Sequence, residues 1–538
     1  MKHEKTISII LIFAILLFTF PQDTARASTV AYAKPSATGN GDCSSWADAC
    51  TLQVALSLAD VLDEIWVMQG THTPGTERWD AFILDATVEV YGGFDGTENI
   101  RDERDWQNNI TILSGDIGIP GDISDNSYNV VMGLSTGNNT RLDGFTISGG
   151  NANGSEGTYD RGAGMLNFSN SNPVLANLIF NNNNAVYGAG MANLFASSPT
   201  VENVTFSMNQ AVDSAGGMYN SDNSSPTLNK VTFKENTAGL LGGGMFNIDN
   251  SNPLLTNVTF SNNEAGVDGG GMISFDSSPT LVNTTFSANT AGSRGGGLAN
   301  VVDTGTTTVR NSIFWGNTAV EGGHQVYNHS GALIISDSIV EGGYISGTNI
   351  ITNNPLLEAI KDFGNPGEEV YPVSAESAAI DNGNDSYCPD TDQRGTARPI
   401  DGDQDDTATC DIGAYEFLPQ NNDDFENATK ITEIAYSDNI STVLATSELN
   451  DPALPELCGI TGSGQATVWY TYTPQSDWAI SISTANTDYD TFIAVWEGTS
   501  KEELRFVACN DDFGDTKQSA VAIRVTGNKT YYIEIGQP

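Results

Sequence analysis

Positive charge is what this chain lacks most: 22 Lys+Arg stand against 67 Asp+Glu, a formal net charge of −45. So acidic a surface repels phosphate backbones and anionic lipid, which excludes nucleic acid and acidic membranes as partners. Divalent cations and neutral or basic ligands remain. Histidine is nearly missing, with four in 538 residues and one of those at His3. Imidazole-based metal centres and nucleophiles therefore have little material. No Cys-x-x-Cys occurs among the six cysteines, which argues against a thiolate metal cluster. Long apolar runs are missing too. The one stretch, Ile7 to Phe20, has 14 residues, too short to span a bilayer.

That stretch follows a short basic start, Met1-Lys-His-Glu-Lys5, and precedes Ala25-Arg26-Ala27, the small-x-small pattern of a cleavage site. Residues 1–27 are expected to be a signal peptide, so the mature protein is expected to be secreted or at the cell surface. Cysteine usage agrees. The six fall into sequence-local pairs, Cys43/Cys50, Cys388/Cys410 and Cys458/Cys509. Six cysteines allow about 15 pairings, and the local one is favoured because each pair lies within one expected structural unit. Export makes disulfides their default state. At 39% hydrophobic residues the chain can build a core.

What is present is a repeat. Methionine recurs at Met165, Met191, Met218, Met245 and Met272, and Leu298 continues the column in steps of 26 or 27. Phe180, Phe206, Phe233, Phe260, Phe286 and Phe314 form a second column. Asn183, Asn209, Asn236, Asn263, Asn289 and Asn317 form a third, and an alanine column from Ala185 to Ala319 a fourth. Gly-Met-x-Asn and Val-Thr-Phe are short segments with in-out alternation, and Gly triplets, Asn pairs and Ser-Pro turns leave no room for a helix between them. Three short strands and three turns account for about 27 residues. Stacked coils place each residue over its equivalent at about 4.8 Å, so Phe lies on Phe and Asn bonds to Asn. The expected fold is all-β, a parallel β-helix over 28–350. Residues 51–62 have helical apolar spacing and are expected to cap its open end.

Several segments resemble known groups. Thr38-Gly-Asn-Gly-Asp42, Glu64-Ile-Trp-Val, Tyr91-Gly-Gly-Phe-Asp-Gly-Thr97, Arg104-Asp-Trp106 and Ile112-Leu-Ser-Gly-Asp116 resemble the start of exported bacterial right-handed β-helix proteins. Ala379-Ile-Asp381, Arg394-Gly-x-x-Arg398-Pro and Asp411-Ile-Gly-Ala-Tyr-Glu416 resemble the closing segment of the choice-of-anchor Q group among them. The resemblance implies a right-handed coil and a surface location, with 351–418 closing the β-helix as an acidic loop segment. After the polar linker at 419–424 the repeat is gone. Five short alternating segments up to Thr530-Tyr-Tyr-Ile-Glu-Ile535 predict a β-sandwich over 419–538. This part is similar to bacterial pre-peptidase C-terminal domains, which implies a jelly-roll-like accessory module. A further strand is expected beyond Pro538, so this domain is expected to be incomplete.

The candidate sites are acidic. Asp401-Gly-Asp403-Gln-Asp405-Asp406, with Asp411 beyond it, spaces oxygen ligands as a Ca²⁺ loop does, and Asp401, Asp403, Asp405 and Asp411 are the expected ligands. It is not an EF-hand, because Ile412 holds the twelfth position and Asp406 stands where Gly is needed. The competing reading is a solvated acidic loop beside a disulfide. Nine Asp and two Arg within 381–411 favour a bound cation, since unscreened carboxylates repel. Asp222, Asp249 and Asp276 form a further column of carboxylates, for which turn chemistry is the favoured account and a cation the alternative. In the sandwich, Asp423, Asp424, Asp488, Asp490, Asp511, Asp512 and Asp515 read as solvated loops.

Three functions fit. The favoured one is a non-catalytic, adhesin-like surface protein, monomeric and stabilised by Ca²⁺, that binds polysaccharide or a cell-surface ligand. The second is a β-helix polysaccharide lyase or glycoside hydrolase with an accessory binding domain; Lys230 and Lys234 one coil from Asp249, with Arg294 and Arg310 further along, supply a lyase surface, a cationic base near carboxylates. The third is a structural component of the cell envelope.

Overall fold

The β-branched and apolar alternation of the repeat forms three strands per coil, for example Met245–Asn247, Leu254–Ser261 and Glu264–Ala265. Each pairs in parallel, in register, with its equivalent one coil on: Met245 opposite Met272, Phe260 opposite Phe286, Ala265 opposite Ala291. Repetition joins these strands into a 22-stranded and a 7-stranded sheet. The fold is a parallel β-helix. This computed structural model describes residues 30–538 apart from 59–63, 85–86, 156, 404, 406, 420–421, 424, 433–434, 439–441, 443–444, 446–450, 456–457, 459–463, 486, 488 and 515. The expected signal segment 1–27, residues 59–62 of the expected helix, Gln420 and Asn421 of the linker, and Asp406, Asp424, Asp488 and Asp515 lie outside the described residues.

The columns stack as the period requires. Successive rings from Phe180 to Phe314 lie 4.8, 4.9, 4.8, 4.4 and 4.7 Å apart, with planes within 10°. The turn asparagines are fully buried, and each side-chain amide donates to the next at 2.8–3.0 Å from Asn183 to Asn317. Each also donates to a main-chain carbonyl, such as that of Phe206 for Asn236 at 2.9 Å. These bonds satisfy turn groups that water cannot reach. A second ladder, Asn167 to Asn193 to Asn220 to Asn247, runs at 2.8–2.9 Å beside the methionines.

Within each eight-residue strand one residue turns left-handed: Asn177, Asn203, Lys230, Asn257 and Asn283 have φ of 50–55°. That corner bends the strand around the core, and Asn tolerates it better than most side chains. At the N-terminal end the helix Leu52–Leu56 lays Leu52 and Ala55 on the same core, as a cap should. Cys43–Cys50 closes the loop before it.

The segment after 351 does something the repeat did not foretell. It does not simply extend the stack. Residues 361–417 run back across the outer face of the coils as a strap. Gly367 N–H donates to Thr205 Oγ1 at 2.8 Å, Asn257 Nδ2 to Thr391 O at 2.8 Å, and Gly413 N–H to Asn311 O at 2.8 Å. Ile380, Ile412, Tyr415 and Phe417 bury against Ile313 and Ile339 beneath it, and Cys388–Cys410 closes it covalently.

The C-terminal sheet domain has a five-stranded sheet, in which Gln465–Tyr472, Tyr531–Gln537, Phe492–Glu497 and Arg505–Asn510 are antiparallel neighbours. A two-stranded sheet of Trp478–Ser483 and Ala520–Val525 covers one face through Ile493, Val495, Val521 and Ile523. Phe425 and Leu454 cover Trp469 and Trp496 on the other. Cys458–Cys509 completes the local pairing of all six cysteines. Among the described residues no helix is long and apolar enough to cross a membrane.

Candidate functional site

The acidic loop at 401–411 folds around a residue outside the expected ligand set. Asp381 Oδ2 accepts the backbone N–H groups of Gly402 and Asp403, both at 2.8 Å, and its Oδ1 accepts that of Thr409 at 3.0 Å. This draws Asp381, Asp401 and Asp403 together, with one oxygen of each within 4.8 Å of the others. Asp405 joins by its backbone: its N–H donates to Asp401 Oδ1 at 3.1 Å and Asp403 Oδ1 at 3.2 Å. Burial, and then the Asp403 charge, push the Asp381 carboxyl above its ordinary value despite those N–H bonds. A hard cation shared by three carboxylates would relieve that repulsion.

Asp411 lies outside this group. It is buried, its Oδ1 accepts Asp381 N–H at 2.8 Å and its Oδ2 accepts Phe417 N–H at 2.6 Å. Its neighbours are a buried charge cluster under the strap. Arg394 pairs with Asp392 at 2.7 Å and lies 3.7 Å over the Tyr415 ring. Arg398 Nε sits 3.2 Å from Glu416 Oε2, off line for a hydrogen bond, so that contact is an ion pair; its Nη2 donates to Gly413 O at 3.0 Å. Burial first, and the Glu416 carboxylate second, push Asp411 up to about 8, and burial raises Glu416 as well. The Arg-Gly-x-x-Arg-Pro and Asp-Ile-Gly-Ala-Tyr-Glu segments, quoted above as motifs, thus lock the strap. The two arginines among nine aspartates were the sequence signal for that.

The column Asp222, Asp249 and Asp276 falls at left-handed turn positions, with φ of 56, 55 and 47°. Phe195 takes the corresponding place in the preceding coil at φ 55°. The backbone carbonyls do the stacking there, Asn223 N–H donating to Asp249 O at 3.0 Å. Turn geometry accounts for the column.

In the sheet domain, Asp490, Asp511 and Asp512 do meet, each offering an oxygen within 4.8 Å of the others. Burial first, then Asp512 and Asp490, raise the Asp511 carboxyl. Lys517 Nζ stands 3.4 Å from Asp490 Oδ2.

The cations of the expected lyase surface are committed. Lys234 pairs with Glu369 of the strap at 2.7 Å, Lys230 Nζ would lie 3.4 Å from a Cβ on Gly395 of the strap, and Arg310 lies 3.7 Å over the Tyr387 ring. Arg294 clasps Asp268 at 2.9 Å and donates to Tyr327 OH at 2.9 Å. Among the aromatics of the coils, Tyr187 lies under Arg161 at 5.1 Å.

Neither a family model nor a curated protein matches the chain. A solved pectate lyase structure is similar to it at 12% identity, over 73% of this chain and 97% of that one, with a TM-score of 0.41. A likeness at this level adds nothing on chemistry to what the coils themselves display.

Proposed function

We propose that the chain is an extracellular, non-catalytic β-helix protein of the cell surface, which binds polysaccharide or another surface ligand and holds structural Ca²⁺ at Asp381, Asp401 and Asp403. One observation carries the choice over a lyase: the outer face bearing Lys230, Lys234 and Arg310 is occupied by the chain's own strap. A base must reach the proton it removes, and these side chains face the strap instead. Three disulfides support an oxidising compartment.

The test is incubation of the mature protein with neutral and uronate polysaccharides, following cosedimentation and the release of unsaturated sugars. Cosedimentation without release is expected. Release would overturn the reading in favour of the lyase, and neither binding nor release would leave a structural envelope role.

The metal has its own test. Excess Ca²⁺ after EDTA should raise the thermal midpoint, since a ligand at about 100 times its Kd adds about 2.7 kcal/mol to the folded state. Asp401→Ala with Asp403→Ala should shrink that rise. An identical rise in wild type and variant would remove Ca²⁺ from this loop.

A further inference from the structure

Two carboxyls and an amine come together away from solvent on the aromatic face of the C-terminal sheet domain. Glu534 lies within the strand Tyr531–Gln537, opposite Trp469 on one side and Ala494 on the other. It is fully buried. Its Oε2 accepts Trp496 Nε1–H at 2.9 Å, and its Oε1 has no hydrogen-bond partner among the described residues. Thr467, two residues before Trp469 and so on the same face, donates its hydroxyl to Asp451 Oδ2 at 3.2 Å. Lys501, from the short 3₁₀ turn Lys501–Glu503, reaches the other oxygen of that carboxyl, Nζ to Oδ1 at 3.2 Å. The Asp451 side chain is 0% exposed and that of Lys501 12%. The same face carries the cluster of Phe425, Leu454, Trp469 and Trp496.

Ion pairing alone leaves this arrangement unexplained. In the other described lysine pairs the lysine side chain keeps 29–76% exposure, so water solvates the charge. Here both charges are withdrawn from solvent, which costs more than their contact returns unless every polar atom is satisfied. Glu534 adds a third charge-bearing group. Burial first pushes its carboxyl up to about 8; the Trp496 N–H opposes that, the Asp451 charge adds to it and the Lys501 charge lowers it. Glu534 therefore holds a proton at neutral pH and lies within the field of both partners. An amine held against a carboxyl out of water, beside a protonated acid, is set up for condensation. The pair loses both charges, and proximity replaces the encounter of two free molecules.

We propose that Lys501 and Asp451 condense to an intramolecular amide, a covalent clasp within the sheet domain, with Glu534 as the proton carrier. The Lys501 ammonium gives one proton to the Asp451 carboxylate, and the freed Nζ attacks Asp451 Cγ. Glu534 donates its proton to the departing hydroxyl as the C–O bond breaks, then takes the surplus proton from the nitrogen. One amide forms, one water leaves and Glu534 ends as it began, with no oxidant or cofactor consumed. Lys501 borders an open cleft with Phe425, Thr471 and Tyr532, through which that water can leave. Cys458–Cys509 joins the same two stretches of chain, and the amide, unlike the disulfide, survives reduction.

The test is a peptide map of the full chain after reduction and alkylation, with cleavage after glutamate. Unlinked, Asp451 and Lys501 fall in separate peptides, 449–456 and 498–502. The expected species is the two joined, lighter than their sum by one water, with fragment ions placing the branch at Asp451 and Lys501. Lys501→Arg, which keeps the charge, and Glu534→Gln, which keeps an acceptor for Trp496, should both give separate peptides. Separate peptides from the wild type would overturn the proposal and leave a buried ion pair. A joined species from Glu534→Gln in wild-type yield would overturn the part given to Glu534. Should Glu534→Gln fail to melt cooperatively, the wild-type map set against Lys501→Arg decides by itself.

Discussion

Phe260→Ala should cost about 3–5 kcal/mol of folding stability, the usual range for emptying a buried aromatic site. Phe260 is fully buried, 4.8 Å from Phe233 on one side and 4.4 Å from Phe286 on the other. Neighbouring coils can hardly close the gap. They are held at the strand spacing by their own ladders, and a Cβ on Gly244 would already lie 2.8 Å from the Phe260 ring. In a stack whose coils touch only their neighbours, the loss falls on the interfaces above and below. Denaturant unfolding followed by far-UV dichroism measures it. Phe275→Ala, at an exposed position of the same repeat, is the control. A loss at Phe260 no larger than at Phe275 would mean that the phenylalanine stack does not hold the coils together.

The second large effect is expected at Arg398. Removing one partner of a buried ion pair typically costs about 3–5 kcal/mol, because the other charge stays buried without compensation. Arg398→Met would strand Glu416, with Asp392 and Asp411 beside it. The strap should then detach before the coils unfold, seen as rapid hydrogen exchange across 361–417 while the repeat stays protected. Uniform loss of protection would show that strap and coils unfold as one.

The same cluster sets a pH dependence in the wild type. Asp411 is raised to about 8, and Glu416 is raised too, so the folded state holds protons that the unfolded chain releases at ordinary carboxylate values. The Asp411 contribution is complete below that ordinary range and is lost as pH rises through about 8, and that of Glu416 falls in the same direction. The melting midpoint should therefore fall between pH 6 and 9, a window in which the exposed carboxylates are already ionised. A flat or rising midpoint would show that Asp411 stays ionised in the fold.

Much of this was legible before any coordinates. A residue repeated every 26 or 27 positions must sit on its own copy if coils stack, so the Phe and Asn columns carry their own tertiary contacts. Local cysteine pairs likewise needed only short reach. The acidic loop was half legible: Asp401 and Asp403 were marked by spacing, but Asp381 lies some twenty residues earlier and enters because its carboxylate collects the loop's N–H groups. Asp411, marked by the same spacing, turns to Phe417 N–H. The strand Arg505–Asn510 lacks clean alternation and so carries no strand signal in the sequence.

By itself, then, the sequence determined the coil, its period and what lies in its core, because a periodic chain repeats its contacts as it repeats its residues. Only the tertiary structure decided that 361–417 covers the outer face, that Lys234 answers Glu369, and that Asp381 collects the backbone of the 401–409 loop. Those contacts join segments by shape and charge at irregular separations, and no period in the chain announces them.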